Sequence, residues 1–243
     1  MKKLIWANRK VNMSTKTEMS DYISNLKSLL TDVNLQNVDI TICPQMAQIW
    51  ILWVQLPEYI SLGSQNLSQH DKWAFTGETS SDVLVDLGTK YVLVGHGERR
   101  SMYGDDDNVV NAKLLKSISK WIRPILCIGE TKDQRLAGEA LAIIKAQFDA
   151  DTAWISDLSQ IDIAYEPIWS IGTGLIPTRE EIAEVHNYIR NILWNTESRI
   201  LYWWSSNEAN AADLITIDNV DGFLVWWASL VADKFATMIK AIA

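Results

Sequence analysis

Short apolar runs alternate with longer amphipathic stretches along the whole chain. Eight of the apolar runs are predicted to be strands: residues 3–7, 38–42, 60–62, 91–94, 124–128, 161–165, 200–202 and 222–225. Helical patterns lie between and after them, at residues 15–30, 45–52, 80–87, 109–119, 133–149, 179–193, 207–214 and 230–242. This alternation predicts an α/β fold with a parallel sheet covered by helices. The count of eight favours a closed (β/α)8 barrel, with eight parallel strands surrounded by helices, over an open sheet.

The length of the chain agrees with that prediction. It has 243 residues, and one (β/α)8 barrel typically has about 250. No linker, low-complexity segment or run of charge divides the sequence. We therefore expect a single domain over residues 1–243.

Charge and cysteine content narrow the class of protein. The formal net charge of −8 argues against nonspecific binding to nucleic acid or to an anionic membrane. Cys43 and Cys127 are far apart and form no CxxC motif, as expected for reduced thiols of a cytoplasmic protein. The first apolar run stops at Ala7, which is too short for a signal peptide or a membrane span.

Polar residues follow several predicted strands directly. Asn8 and Lys10 follow the first strand, His96 the fourth, Glu166 the sixth and Ser205 the seventh. In barrels of this type the chemistry lies at the carboxyl ends of the strands. We therefore expect these side chains to share one site at the mouth of the barrel.

Glu166 has two interpretations. A carboxylate between a strand and Pro167 is often only a surface or capping residue. However, the sequence Ser-Ile-Gly-Thr-Gly at residues 170–174 follows it, which is typical of a closing loop or an anion-binding turn. A carboxylate beside a loop that excludes water suits the removal of a proton next to a carbonyl group.

His96 and Lys10 also have structural alternatives. A lone histidine is more often structural than catalytic, but a helix beginning beside His96 would keep it neutral and able to donate to a carbonyl oxygen. Glu98 and Arg99 form either a surface ion pair or a support for the site. Lys10 is either a solvated surface residue or the local positive charge that an anionic substrate needs in an acidic protein.

Five segments of the sequence resemble the triosephosphate isomerase family. They are residues 7–12 (Ala-Asn-Arg-Lys-Val-Asn), 95–100 (Gly-His-Gly-Glu-Arg-Arg), 164–174 (Ala-Tyr-Glu-Pro-Ile-Trp-Ser-Ile-Gly-Thr-Gly), 65–66 with 75–79, and 124–131. The likeness extends from residue 3 to about residue 235, and the 164–174 motif is highly specific. It implies a TIM barrel that interconverts dihydroxyacetone phosphate and glyceraldehyde 3-phosphate through an enediol(ate), without metal or cofactor. It leaves little room for a barrel that acts on another sugar phosphate.

The resemblance also implies a role for each site residue. Glu166 would move the proton and His96 would polarise the carbonyl, as the family is known to do. Lys10 and Asn8 would stabilise the developing charge, with Glu98 as a supporting carboxylate. Backbone N–H groups would hold the phosphate, at Gly172, Ser205, Trp226 and Trp227. The family further implies a homodimer in which residues 65–78 form a projecting loop and Thr76 reaches the partner's site.

Tryptophan departs from the family pattern where the family has glycine. The family's Tyr-Gly-Gly-Ser appears as Tyr-Trp-Trp-Ser at residues 202–205, and its Gly-Gly-Ala-Ser as Trp-Trp-Ala-Ser at residues 226–229. Trp73 and Trp121 likewise stand at or close to family glycines. The chain has 12 Trp and 11 Gly in 243 residues, whereas average proteins contain about 7% Gly.

Two interpretations of this pattern remain open. In the first, all the tryptophans except Trp169 stand for glycine. The codon UGA is read as Trp in some genetic codes and as Gly in certain bacterial lineages, so translating a gene of the second kind with the code of the first would give this pattern. Alternatively, the tryptophans are genuine, and their bulk at residues 203, 204, 226 and 227 impairs the phosphate site of a barrel that keeps the fold.

Overall fold

Eight parallel strands pair in chain order, and the last strand returns to pair with the first, which closes the barrel. The computed structural model describes residues 1–170, 176–194 and 197–243. Its strands are β1 (Lys3–Asn8), β2 (Val38–Cys43), β3 (Ile60–Ser64), β4 (Tyr91–Val94), β5 (Arg123–Ile128), β6 (Asp162–Tyr165), β7 (Ile200–Tyr202) and β8 (Gly222–Val225). The predicted closed barrel is confirmed, and the bounds of each strand lie within two residues of those expected.

Helices follow the strands and cover the barrel. They are α1 (Lys16–Leu29), α2 (Ile49–Trp53), α3 (Ser81–Asp86), α4 (Gly97–Tyr103), α5 (Asp107–Ser119), α6 (Lys132–Leu136), α7 (Ala140–Asp151), α8 (Arg179–Leu193), α9 (Ala211–Leu214) and α10 (Ala232–Ile242). Short 3-10 turns occur at Met46–Gln48, Leu158–Gln160, Ile168–Ser170 and Trp227–Leu230.

The helix predictions were wrong in four places. The helices expected over residues 45–52 and 207–214 are shorter in the structure, since Met46–Gln48 is a 3-10 turn and α9 begins only at Ala211. Helix α4 was not predicted, because none of its seven residues is buried and its sequence therefore lacks an apolar face. The single helix expected over residues 133–149 is divided into α6 and α7. Gly138 lies between them with a left-handed φ of 75°, which a continuing helix does not allow.

The core has two parts because side chains alternate along each strand. In β1, Leu4 and Trp6 belong to a cluster inside the barrel. Ile5 and Ala7 belong to the larger cluster between the barrel and its helices. Position in the strand therefore decides which layer a residue fills, and the next inward position after Trp6 is Asn8, at the mouth.

A charged network closes the opposite end of the barrel. The carboxylate of Asp162 is fully buried and accepts hydrogen bonds from Arg123, at 2.7 and 2.9 Å, and from Arg199, at 2.7 and 3.0 Å. Arg199 also contacts Asp39 at 2.8 Å and donates to the hydroxyl of Tyr91 at 3.2 Å. These hydrogen bonds and ion pairs thus join the amino ends of five strands. The candidate site lies at the opposite, carboxyl ends.

Candidate active site

Glu166 is held rigidly at the end of β6. Its backbone N–H donates to the carbonyl of Ile128 at 2.8 Å. The end of β5 approaches so closely that a Cβ on Gly129 would lie 1.7 Å from the carbonyl oxygen of Glu166, so only glycine fits there. The Glu166 carboxylate is buried, and its Oε2 accepts a hydrogen bond from the N–H of Gly97 at 2.7 Å.

His96 caps the start of α4, which fixes its tautomer. Its Nδ1 accepts a hydrogen bond from the backbone N–H of Glu98 at 3.2 Å. An acceptor nitrogen carries no proton, so the proton of the imidazole is on Nε2. The N–H that makes this bond belongs to α4, the helix that the sequence analysis missed.

The side-chain atoms of His96 and Glu166 that make no hydrogen bond to the described residues lie next to each other. Nε2 of His96 lies 3.3 Å from Oε1 of Glu166, yet the angles are not those of a hydrogen bond. Both atoms are buried, and neither makes a hydrogen bond to any residue that the structure describes. A buried donor and a buried acceptor without partners are costly, and a ligand that used both would satisfy them.

Lys10 is aimed into the same mouth by a strained turn after β1. Its φ is 46°, and its N–H donates to the Asn8 side-chain oxygen at 3.2 Å. Its Nζ lies 2.5 Å from a carboxylate oxygen of Glu98. The side chain of Gln65 donates to the Lys10 carbonyl at 2.9 Å. Gln65 is a supporting residue that the sequence analysis missed, although the matched segment beginning at residue 65 contained the signal.

The side chains predicted to carry the chemistry therefore lie together. Asn8, Lys10, His96 and Glu98 line one cleft with a volume of about 280 Å³. Glu166 does not line this cleft, but its Oε1 lies 3.3 Å from Nε2 of His96. One ammonium group, one imidazole and two carboxylates thus meet at the carboxyl end of the barrel.

Indole rings occupy the space beside this cleft. The Nζ of Lys10 lies 3.7 Å from the ring centroid of Trp226 and 5.3 Å from that of Trp203. Trp203 also meets the His96 ring edge to face, with 5.5 Å between the ring centroids. Such cation–π contacts hold an ammonium group, and they place bulk where Lys10 would meet an anion.

The predicted phosphate-binding residues line a second, neighbouring cavity of about 520 Å³. Ser205, Trp226 and Trp227 all contribute to its wall. The rings of Trp226 and Trp227 stack there, with 4.3 Å between their centroids. Gly172, the fourth predicted phosphate ligand, lies outside the described residues.

Both cysteines are free and buried. Burial raises the pKa of each thiol well above its usual value, and for Cys127 the negative charge of Glu166 adds to that effect. These thiols stay protonated and contribute packing inside the barrel rather than a nucleophile.

Comparison with known proteins assigns the chain to a family. A model of the triosephosphate isomerase family matches residues 3–242. The chain belongs to the triosephosphate isomerase family. It is 36% identical over 247 residues to the triosephosphate isomerase of Aquifex aeolicus (strain VF5), which covers 98% of this chain and 99% of the relative. It is also 36% identical over 248 residues to that of Francisella tularensis subsp. mediasiatica (strain FSC147), covering 99% and 97%.

In the loop that was expected to project toward a partner, residues 71–78 are exposed. Thr76 is exposed, and Phe75 stacks on His70 with 3.7 Å between the ring centroids. Thr76 does not line the cleft of its own chain, although Gly77 and Glu78 do. Its expected contact with a partner's site stays a prediction.

Proposed function

We propose that the chain interconverts dihydroxyacetone phosphate and D-glyceraldehyde 3-phosphate, as a glycolytic and gluconeogenic isomerase, by the residues predicted above. The observation that carries this proposal is the pair formed by His96 Nε2 and Glu166 Oε1. The two atoms are 3.3 Å apart, buried, and without hydrogen bonds to the described residues. They suit a substrate that presents an acidic C–H beside a carbonyl oxygen.

The reaction would proceed by proton transfer between neighbouring carbons. Glu166 takes the proton from the carbon next to the carbonyl, while the Nε2–H of His96 donates a hydrogen bond to the carbonyl oxygen. The C–H electrons form the C=C bond of an enediol(ate) as the carbonyl π electrons move onto the carbonyl oxygen. Glu166 then returns the proton to the adjacent carbon, and the hydroxyl on the first carbon becomes the new carbonyl as its proton passes to the other oxygen. These are the roles known for the family.

Lys10 would supply the positive charge that stabilises the enediolate. Its contact with Glu98 fixes the ammonium group in the cleft, and Asn8 holds the Lys10 backbone. Preorganised charges of this kind favour the transition state because they need no reorganisation during the reaction.

The phosphate would bind backbone N–H groups after β6, β7 and β8. We assign these to Gly172, Ser205, Trp226 and Trp227. The assignment is supported by the 3-10 turn that begins at Trp227, since the first N–H groups of a turn have no internal partner and favour anions.

Substitution of the two reacting groups tests the proposal. We expect Glu166→Gln and His96→Gln each to lower kcat by about 10² to 10⁴, the usual contribution of a general acid or base. Glu184→Gln, which changes an exposed carboxylate of α8, is the matched control and should keep full activity. A coupled isomerase assay measures all three, and wild-type activity in Glu166→Gln would refute the assigned base.

The assembly and location of the enzyme belong to the same proposal. We place it in the cytoplasm as a homodimer, with Thr76 of each subunit beside the partner's Asn8 and His96. The exposure of Thr76 and Phe75 supports such a contact. Within the described residues, no helix has the length and apolar content to cross a membrane.

A second candidate is a barrel of the same family with impaired catalysis. The position of the Trp226 ring, 3.7 Å from the Nζ of Lys10, favours it for the sequence in which every tryptophan is genuine. Assay of that chain decides between the two. A folded chain without turnover supports impairment, and family-like turnover supports the active enzyme.

A further inference from the structure

The backbone at four tryptophans has the conformation that glycine favours. The φ values are 94° at Trp73, 60° at Trp121, 68° at Trp154 and 55° at Trp194. Left-handed backbone is uncommon for any residue with a Cβ and is an outlier for a bulky one. From this observation we infer that eleven tryptophans of the chain, all except Trp169, are glycine in the protein that the cell makes.

The concentration of this conformation in one residue type is the first argument. Trp accounts for 12 of the 243 residues, but for four of the eight non-glycine residues with positive φ in the described part of the chain. None of the 7 Tyr and 4 Phe, all of which are described, has a positive φ. Aromatic bulk therefore does not explain the pattern, whereas a shared glycine identity does.

Trp121 provides the sharpest case because its surroundings form a defined motif. After α5, the N–H of Trp121 donates to the carbonyl of Ile118 and the N–H of Ile122 to that of Ser117, both at 3.0 Å. This pair of bonds is the Schellman motif, whose left-handed position is usually glycine.

The chain uses glycine at the same motif elsewhere. After α3 the left-handed position is Gly88, with φ 68°, and after α6 it is Gly138, with φ 75°. Each makes the two equivalent bonds, at distances of 2.9 to 3.0 Å. Trp121 thus occupies a position that this chain otherwise fills with glycine.

Solvent exposure supplies an independent argument. The four left-handed tryptophans are between 90% and 96% exposed, although indole is a large apolar group that is highly buried on average. Their side chains bury little surface, so packing offsets little of the free-energy cost of the left-handed backbone. Replacement by glycine would remove an exposed ring and leave the turn intact.

Unpaired indole groups do not separate the set from Trp169. Nε1 of Trp203 and Nε1 of Trp226 are buried and donate to no acceptor within the described residues, and the same holds for Nε1 of Trp169. Trp169 is excluded from the set because its backbone is not left-handed and because the family motif over residues 164–174 has Trp at this position.

One codon reassignment accounts for the whole set. UGA is translated as Trp by some genetic codes and as Gly by another, while UGG is Trp in both. For Trp6, Trp50 and Trp53 the backbone is that of a strand or a helix, so glycine there follows only if all eleven share the codon. The change would raise the glycine content of the chain from 11 to 22 residues.

The gene and its natural product test this inference. We expect UGA at all eleven codons and UGG at codon 169. Peptide mass spectrometry of the protein purified from cells that carry the gene should then give the mass of Gly at each UGA position and of Trp at position 169. A UGG codon at position 73, 121, 154 or 194 would overturn the inference, and so would a Trp mass at any of these four. Neither result bears on the Glu166 and His96 variants, which test the isomerase reaction separately.

Discussion

At the scale of single residues, the backbone conformation of Trp121 is one that its side chain disfavours. The two hydrogen bonds of its turn fix a left-handed φ of 60°, while the Cβ of any L-residue disfavours that conformation. Trp121→Ala removes only the ring, whereas Trp121→Gly also removes the Cβ. The difference between their free energies of unfolding measures the strain in the turn.

We therefore expect Trp121→Gly to be more stable than Trp121→Ala by about 1 kcal/mol. Both variants lose the same exposed ring, so the difference reports the left-handed backbone alone. Urea unfolding of the two variants measures it. The matched control is Trp50 in α2, which is exposed but lies in a helix.

At position 50 the order should reverse, with Ala more stable than Gly by about 0.5–1 kcal/mol. Equal stability of Trp121→Gly and Trp121→Ala would show that the turn adapts to a Cβ without strain. The geometric basis of the glycine inference would then be lost at this position.

The places of the proposed catalytic residues could be predicted from the sequence, because position along a strand fixes where a side chain lies. Asn8, Lys10, His96 and Glu166 each follow a strand, and a closed barrel brings the ends of its strands together. The hydrogen-bonded tautomer of His96 could not be predicted in the same way. It depends on a bond to the N–H of Glu98, whose direction is set by the helix that begins there.

At the scale of elements, the pattern of apolar positions located the strands better than the helices. All eight strands are buried on both sides of the barrel wall, so each is a short apolar run. Helix α4 has no buried residue and therefore leaves no periodic signal. The sequence placed polar residues at the mouth correctly, but the packing of Trp203 and Trp226 against Lys10 required the structure.

The loops after β7 and β8 lead to a prediction about activity. Replacing the tryptophans at positions 203, 204, 226 and 227 by glycine should raise kcat/KM by about 10² or more, because it opens the wall of the neighbouring cavity and frees backbone N–H groups for the phosphate. The coupled isomerase assay measures the effect in both directions of the reaction.

A second pair of substitutions controls for the loss of indole itself. Trp50→Gly and Trp53→Gly remove two rings from the outer helix α2, which contact each other with 5.1 Å between centroids. They should leave kcat/KM within about twofold of the parent, since surface changes away from the site have small effects. Equal activity in the parent and the fourfold variant would show that the indoles do not obstruct the phosphate.

At the scale of the whole molecule, the exposed residues 71–78 of the loop over residues 65–78 lead to a prediction about the state of assembly. We expect Thr76→Arg to convert a dimer into monomers, because a long charged side chain would be buried without a partner at the proposed contact. Sedimentation velocity measures the change, and activity should fall with it. Lys72→Glu, a charge change in the same exposed loop, controls for general effects of loop charge. A Thr76→Arg variant that remains dimeric would place the interface elsewhere.

The charged network at the closed end of the barrel governs the response of the whole fold to acid. Burial alone would raise the pKa of Asp162, but hydrogen bonds and charge from Arg123 and Arg199 hold that pKa below its usual value. A carboxylate with a lowered pKa binds fewer protons in the folded state than in the unfolded state. It therefore stabilises the fold above its unfolded pKa of about 3.9, and that contribution is lost as the pH falls further.

We expect Asp162→Asn to reduce the free energy of unfolding at pH 7 by about 3–5 kcal/mol, since it leaves two arginines without their buried carboxylate. The loss should begin to shrink as the pH falls below about 3.9, because the unfolded chain then binds a proton at Asp162 that the folded carboxylate, with its lowered pKa, does not bind. Urea unfolding of both proteins at pH 7 and at pH 3.5 measures the two differences. Asp71→Asn, which breaks only an exposed pair with Lys116, should change stability little at either pH. A loss of equal size at both pH values for Asp162→Asn would mean that the carboxylate acts through packing rather than through its charge.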